Sequence, residues 1–118
     1  MANIYDYAYD LEKAIRKSDE YENLRKAFKE VMADPSSRKM FEDFRRFQAD
    51  LQLKQMQGEE ISEEELVNAQ KRFEVIRQHK LISELMAMED RMNVVMEDIS
   101  RIVSKPLDEV YQELTNGT

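Results

Sequence analysis

The sequence predicts an all-α fold: a long antiparallel helical hairpin with shorter N- and C-terminal helices. Three observations predict it. Apolar residues recur at intervals of three and four through most of the chain, which is the spacing of one helix face. Only two Gly and two Pro interrupt 118 residues, too few for the turns of an all-β or Rossmann-like fold. Apolar residues make up 42% and charged residues 36%, as in amphipathic helices. The length predicts a single domain, 1–118.

Two short helices are predicted at the start of the chain. The first begins after Asn3, and Ser18 can cap the second. The apolar stripe of the first helix is Ile4, Ala8, Leu11 and Ile15, and that of the second is Tyr21, Leu24, Phe28 and Val31. The chain therefore turns near Ser18.

A long helical hairpin is predicted next. Asp34 is a good N-cap and Pro35 suits the first helical position, so a third helix starts there and ends before Gly58. Its stripe is Met40, Phe44, Phe47 and Leu51, widened by Phe41. Ser62 and Glu65 have the spacing of a capping box, in which each side chain bonds a free backbone N–H. The turn at 58–62 thus joins two antiparallel helices.

The helical pattern changes phase once after the hairpin. The stripe Leu66, Ala69, Phe73 and Ile76 is followed by an interval of five residues to Leu81. This slip predicts a break or a bulge within 77–82. A regular stripe then runs to Ile102, and Ser104-Lys105-Pro106 predicts the start of a short C-terminal helix. The anchors of that last helix are Leu107, Val110, Tyr111 and Leu114.

The segment 81–103 is the candidate interaction helix. Its apolar face is so wide that it must be covered on more than one side, which predicts a helix-bundle homodimer. The predicted interface residues are Leu85, Met88, Met92, Val95, Met96 and Ile99. Since Met fills cores and also suits adaptable interfaces, the four Met within 86–96 leave both roles open. Tyr5 and Tyr9 share a helix face and form a second candidate, as a partner surface or as packing within the fold.

Several function classes have no residues to support them. The chain has no Cys, which excludes disulfides, thiolate nucleophiles and Cys-held metals, and a reducing compartment fits. No apolar run has the length of a membrane span, and the first residues lack the pattern of a signal peptide, so the cytoplasm is expected. The single His79 has no companion motif, and no phosphate-binding loop is present. No catalytic residue, cofactor, metal or small-molecule substrate is predicted.

Charge disfavours nucleic acid as the main partner. The net charge is −7, and the excess of acidic residues lies in 58–118. One alternative remains, because basic and aromatic residues alternate on the third helix. The basic residues are Arg38, Lys39, Arg45, Arg46 and Lys54, and the aromatic ones are Phe41, Phe44 and Phe47. An RNA-associated accessory factor that uses this basic face is therefore the second hypothesis.

The order of these motifs resembles the YlbF/YmcA-like family of small helical bacterial proteins, and in particular its YheA-type members. The resemblance covers nearly the whole chain. The matching features are the helix Ile4–Ile15, the run Ser18-Asp19-Glu20-Tyr21, the restart at Asp34-Pro35 and the hairpin. The stretch from Glu97-Asp98-Ile99-Ser100 to Ser104-Lys105-Pro106-Leu107 is the most YheA-like part.

This resemblance implies an all-α, often dimeric protein in the cytoplasm of a Gram-positive bacterium. Relatives act as non-enzymatic partners in a complex linked to competence, sporulation, biofilm formation and RNA processing. Some of them hold an iron–sulfur cluster through cysteines near the C-terminus, which this chain lacks. The leading hypothesis is thus a non-enzymatic adaptor or regulator that works through protein–protein contacts, as a homodimer or with a protein partner or paralogue.

Overall fold

The fold consists of five α-helices. The computed structural model describes residues 3–116, in which the helices are α1 (Ile4–Lys17), α2 (Asp19–Ala33), α3 (Pro35–Met56), α4 (Glu63–Gln78) and α5 (Lys80–Asn116). No strand occurs among these residues, so the all-α prediction is confirmed. None of the described helices combines the length and the apolar character needed to cross a membrane.

The starts of the first helices are set by polar caps. Asn3 and Asp6 form a capping box at α1, in which each side chain accepts a backbone N–H of the other residue. The Ser18 hydroxyl accepts the N–H of Tyr21 and starts α2 as predicted. The α1 box was not predicted, although the Asn-x-x-Asp spacing of Asn3 and Asp6 is a sequence signal for it.

The hairpin turn follows the predicted cap chemistry at its first end. Gly58 has φ 77°, the left-handed conformation that ends α3. The N–H of Glu59 bonds the carbonyl of Lys54 at 3.0 Å, and the N–H of Gly58 bonds that of Gln55 at 3.1 Å. This pair of bonds is a Schellman motif, which satisfies carbonyls left free at the helix end.

The second end of the turn departs from the prediction. The Ser62 hydroxyl accepts the N–H of Glu65 at 3.1 Å, so Ser62 caps α4. However, the Glu65 carboxylate does not complete the capping box. It pairs instead with the ammonium of Lys54 on α3, 3.1 Å away. A charged partner across the hairpin competes with the local N–H for the same carboxylate.

Side-chain contacts along the hairpin confirm that α3 and α4 are antiparallel. From the turn outward, Lys54 pairs with Glu65, and the Arg72 guanidinium lies 4.3 Å from the Phe47 ring centroid. Further along, the ring centroids of Phe44 and Phe73 are 6.2 Å apart. Each step back along α3 is therefore matched by a step forward along α4.

The phase slip is a break of one residue. His79 has φ −84° and ψ 113°, an extended conformation that ends α4 and caps α5. Its carbonyl accepts the N–H of Ser83 at 2.8 Å, the first bond of the new helix. The break allows α5 to change direction and pack along α2, which is its main partner in the chain.

The core is small and lies where α2, α3, α4 and α5 meet. Its buried side chains are Ala27, Val31, Phe41, Phe44, Ile76, Ile82 and Leu85. Phe28, predicted on the α2 stripe, is 46% exposed, and the buried position is Ala27 instead. Helix α2 packs so closely on α5 and α3 that a small side chain faces them.

The predicted C-terminal helix is not a separate element. Helix α5 continues through Pro106 to Asn116, so the restart predicted at Ser104 is wrong. Proline removes one N–H, which leaves the carbonyl of Ile102 without its helical donor. Since Ile102 is exposed, water can bond that carbonyl and lower the cost of continuing the helix.

The chain is elongated. Its Cα radius of gyration is 19.6 Å, whereas about 13.5 Å is typical of a globular domain of this length. Its accessible surface is 9813 Å², compared with roughly 6,700 Å² for an average monomer of this mass. The single chain therefore leaves on the order of 3,000 Å² of surface that a compact fold would bury.

Candidate interaction surface

The six predicted interface residues of α5 do not share one exposed surface. Leu85 and Met92 are buried within the chain, with 1% and 7% of their surface exposed. Met88, Val95 and Ile99 are half-buried, and Met96 is exposed. Because Leu85 belongs to the core of the single chain, a partner cannot reach it. The surface open to a partner therefore lies further along α5.

The C-terminal arm, residues 99–114 of α5, carries that surface. Its exposed apolar residues are Ile102, Val103, Leu107, Val110, Tyr111 and Leu114, each more than 60% exposed. Only Ile99 and Ser104 in the arm are even half-buried. Its last four apolar residues, predicted as the anchors of a short C-terminal helix, are all exposed. The uninterrupted spacing from Ile99 to Leu114 is the sequence signal that these residues share one continuous helix face.

Helix α1 carries a second exposed surface. It packs on α2 alone among the described helices and makes no contact with α5. Tyr5 and Tyr9, predicted as a partner surface, are 69% and 61% exposed and lie on one helix face. Ile4 beside them is 77% exposed. The structure thus brings the two tyrosines together and leaves both accessible.

The basic face of α3 is largely occupied by intramolecular ion pairs. Arg38 pairs with Glu42, Arg46 with Asp43, and Lys54 with Glu65. Arg45 pairs with Glu89 of α5, and its guanidinium lies 5.0 Å from the Phe41 ring centroid.

The aromatic residues of α3 are equally occupied. Phe41 and Phe44 are buried, and Phe47 is half-buried beneath Arg72. Rings enclosed in this way cannot stack on bases, which requires an open aromatic face.

A polar cluster joins the starts of α3 and α5. The Asp34 carboxylate accepts the N–H of Ser37 at 3.1 Å and also bonds the Ser37 hydroxyl. That hydroxyl lies 3.1 Å from Nε2 of His79, whose Nδ1 accepts the N–H of Ile82 at 3.4 Å. Since Nδ1 accepts this bond, the ring proton lies on Nε2, which donates a hydrogen bond to the Ser37 hydroxyl oxygen. The chain of bonds links two helix caps through one buried serine.

Electrostatics reinforces this cluster. Hydrogen bonds from the Ser37 hydroxyl, and then from its backbone N–H, lower the pKa of Asp34 below its ordinary value of 3.8. Desolvation opposes the shift without cancelling it. Asp34 is thus held as a carboxylate, the form that accepts both bonds.

The same three residue types occur in hydrolytic triads, but their order here does not suit catalysis. In a triad the histidine lies between the acid and the serine and takes the serine proton. Here Ser37 lies between Asp34 and His79, and its hydroxyl donates a hydrogen bond to the Asp34 carboxylate. Ser37 is also completely buried, so its oxygen cannot reach a substrate. The cluster fixes the geometry of two helix starts.

A shallow groove also lies between α3 and α4. It has a volume of about 280 Å³, with Met40, Phe44 and Val75 among its apolar lining and Lys71 and Arg72 at its rim. No group of three or more His, Cys, Asp or Glu residues within 3–116 is arranged to hold a metal ion. The uncovered helix faces are therefore the most extensive feature available for recognition.

The described residues thus define an elongated, all-helical protein with a small core and exposed apolar helix faces. Comparison with known proteins gives the family. The family model described as "Control of competence regulator ComK, YlbF/YmcA" matches residues 4–108, and the chain belongs to this family. The resemblance that the sequence motifs indicated is thereby confirmed.

Relatives match over nearly their whole length. The UPF0342 protein YheA of Bacillus subtilis is 49% identical over 109 residues, which cover 92% of this chain and 93% of YheA. A UPF0342 protein of Bacillus velezensis is 50% identical over 109 residues, covering 92% and 94% of the two chains.

Two solved structures share the fold. A protein of unknown function (DUF964) from Bacillus stearothermophilus has a TM-score of 0.82 at 33% identity, covering 92% of this chain and 95% of that one. The structure of yheA from Bacillus subtilis has a TM-score of 0.69 at 40% identity, covering 93% and 100%.

Proposed function

We propose that this protein is a cytoplasmic, non-enzymatic adaptor or regulator that acts through protein–protein contacts as a homodimer. The observation that carries the proposal is the uncovered apolar surface on α1 and on the C-terminal arm. Monomeric proteins rarely expose large contiguous apolar areas, and those that occur mark sites of interaction. Membership of a family linked by its description to the competence regulator supports a regulatory role.

The proposal assigns the partner contact to the tyrosine face of α1. Tyrosine combines apolar area with a hydroxyl and loses little rotamer entropy on binding, which explains its enrichment at interfaces. Tyr5 and Tyr9 project from a helix that only α2 holds, so nothing in the described chain obstructs an approaching partner.

The test is affinity purification of the tagged protein at native expression level, with and without nuclease. We expect a reproducible partner that survives nuclease and is lost from the Tyr5→Ala/Tyr9→Ala double variant. Truncation of two exposed aromatic contacts should weaken binding by about tenfold or more. The binding of the purified partner, measured by calorimetry, checks that loss.

Tyr7 provides a matched control. It is 67% exposed on the same helix but lies on the opposite face, so Tyr7→Ala should retain the partner. Equal loss in both variants would contradict the assigned face. Partners recovered only without nuclease would instead support the RNA-associated alternative, and the absence of any partner other than the protein itself would contradict the adaptor role.

A further inference from the structure

The groove between α3 and α4 has the lining of a small-molecule site. The buried side chains of Phe44 and Ile76 line it together with Met40 and Val75, and its volume is about 280 Å³. Sites for small molecules are clefts of roughly 300–1,000 Å³ that are mostly apolar and contain a few polar groups, and in bundles they lie between helices. The groove is therefore at the lower end of this size range.

Two cations at the rim of the groove have no anionic partner among the described residues. Lys71 and Arg72 are exposed, and neither forms an ion pair or a side-chain hydrogen bond within that part of the chain. Glu74 is the only acidic residue three or four positions from Lys71, and it pairs with Arg77 at 3.5 Å. The corresponding neighbours of Arg72 are all uncharged: Asn68, Ala69, Val75 and Ile76. Both charges are therefore open to an external anion.

The ring of Phe47 holds the Arg72 side chain in place. The guanidinium carbon lies 4.3 Å from the ring centroid. This contact restricts a long side chain that would otherwise lose rotamer freedom when it binds a ligand. The N–H groups of a guanidinium donate in its own plane, so the group can still bind both oxygens of a carboxylate. Arg72 is thus an ordered anion contact beside the apolar lining.

The acidic groups near the groove do not cancel these two cations. Of the described residues that line it, Asp43 alone is acidic, and it pairs with Arg46 at 3.9 Å. Asp50 lines a neighbouring depression with Arg72 but forms no ion pair with it. The rim therefore has a positive charge, although the whole chain has a net charge of −7. This local sign favours an anionic occupant.

We propose that the groove binds a small amphipathic carboxylate, an organic acid with an apolar body of roughly eight to ten carbon atoms. At about 30 Å³ for each water-sized group, a volume of about 280 Å³ holds roughly nine such groups. The apolar body packs on Phe44 and Ile76, and the carboxylate accepts hydrogen bonds from Arg72 beside the charge of Lys71. A protein partner would need about 800 Å² of contact on each side, far more than this groove offers.

The test measures the binding of decanoate to the full chain, below the concentration at which micelles form. We expect saturable changes in the amide NMR signals of Met40, Phe44, Val75 and Ile76. Affinity should rise by up to about fourfold for each methylene from hexanoate to decanoate, and level off for longer chains that extend beyond the groove. The absence of binding, or signal changes confined to α1 or the C-terminal arm, would overturn the site.

Charge variants test the role of the rim. Lys71→Glu reverses one charge at an exposed position and should weaken decanoate binding by about tenfold. Lys29→Glu is the matched control, because it makes the same change in net charge at an exposed position on α2 outside the groove, and it should retain the affinity. Decanol, which lacks the charge, should bind at least about tenfold more weakly than decanoate. Equal loss in both variants, or equal affinity for decanol, would overturn the role of the cations.

This site is separate from the contact in the proposed function. The groove lies on α3 and α4, whereas Tyr5 and Tyr9 lie on α1, which packs on α2 alone among the described helices. Lys71→Glu should therefore lose decanoate and still capture the protein partner. Failure of decanoate to bind would overturn the ligand site alone.

Discussion

At the scale of single residues, three side chains connect the start of α5 to the start of α3. Asp34 caps α3, His79 caps α5, and the buried Ser37 bonds both. Because side-chain caps satisfy N–H groups that a helix leaves free, each bond stabilises the start of one helix. Their connection also fixes the two starts relative to each other. His79 has no companion motif in the sequence, and its role at the end of α4 and the start of α5 follows from the structure.

Two substitutions of His79 should distinguish the stability that comes from capping α5 from the stability that comes from the contact with Ser37. His79→Ala removes the acceptor for the N–H of Ile82, and we expect a loss of about 1–2 kcal/mol in the free energy of unfolding. His79→Asn should recover much of this loss, since Asn is a favoured cap but is too short to reach Ser37. Urea denaturation followed by circular dichroism measures both. Equal stability of the two variants would show that the imidazole is not the effective cap.

The depressed pKa of Asp34 predicts a pH dependence of stability. A carboxyl whose folded-state pKa is lowered contributes stability above its unfolded value of about 3.9, and this is lost as pH falls through the folded value. Wild-type protein should therefore unfold at a higher temperature than Asp34→Asn near neutral pH, with the difference disappearing at strongly acidic pH. Thermal unfolding at a series of pH values tests this.

Asp10→Asn is the control for the loss of one negative charge, because Asp10 is exposed on α1. That variant should show no comparable gap at neutral pH. A gap between wild type and Asp34→Asn that persists in acid would contradict the role given to the charge.

At the scale of elements, the hairpin turn depends on a single backbone conformation. Gly58 has a positive φ, and a Cβ placed there would meet no atom within 4 Å. The cost of a side chain is thus conformational and not steric. The helix end at Gly58 and the cap at Ser62 were both predicted from the sequence, because the residues that form a turn act locally.

Substituting Gly58 measures that conformational cost. We expect Gly58→Ala to lose about 1–2 kcal/mol of unfolding free energy, because an L-residue is disfavoured in the left-handed region. Gly58→Asn should lose less, since Asn visits that region more readily. Chemical denaturation provides the measurement. An alanine variant as stable as the wild type would mean that the turn adopts another conformation.

Helix α5 shows the limit of local signals. Pro106 predicts a break, yet the helix continues, because an exposed carbonyl can bond water in place of the missing N–H. The phase slip predicts a break or a bulge within 77–82, and a break occurs at His79 although no Gly or Pro lies near it. In that case a tertiary contact with Ser37 stabilises the non-helical residue.

At the scale of the whole molecule, the described chain buries too little surface for its size. Its core contains few large side chains, while apolar faces on α1 and the arm remain open. Association as the proposed homodimer would cover part of this surface and make stability depend on protein concentration. The proposed function follows from this excess of surface, which no single helix reveals.

The amino-acid sequence was sufficient for the helical class, most helix boundaries, the hairpin turn and the family. These features depend on periodicity, caps and turn residues, which act over a few positions along the chain. Tertiary structure alone decided which apolar stripes are covered. Leu85 and Val103 have the same periodic signal, but α2 lies along the first part of α5 and nothing within the described chain covers the second. Burial depends on the positions of distant helices, and those positions are set by contacts such as the one between Ser37 and His79.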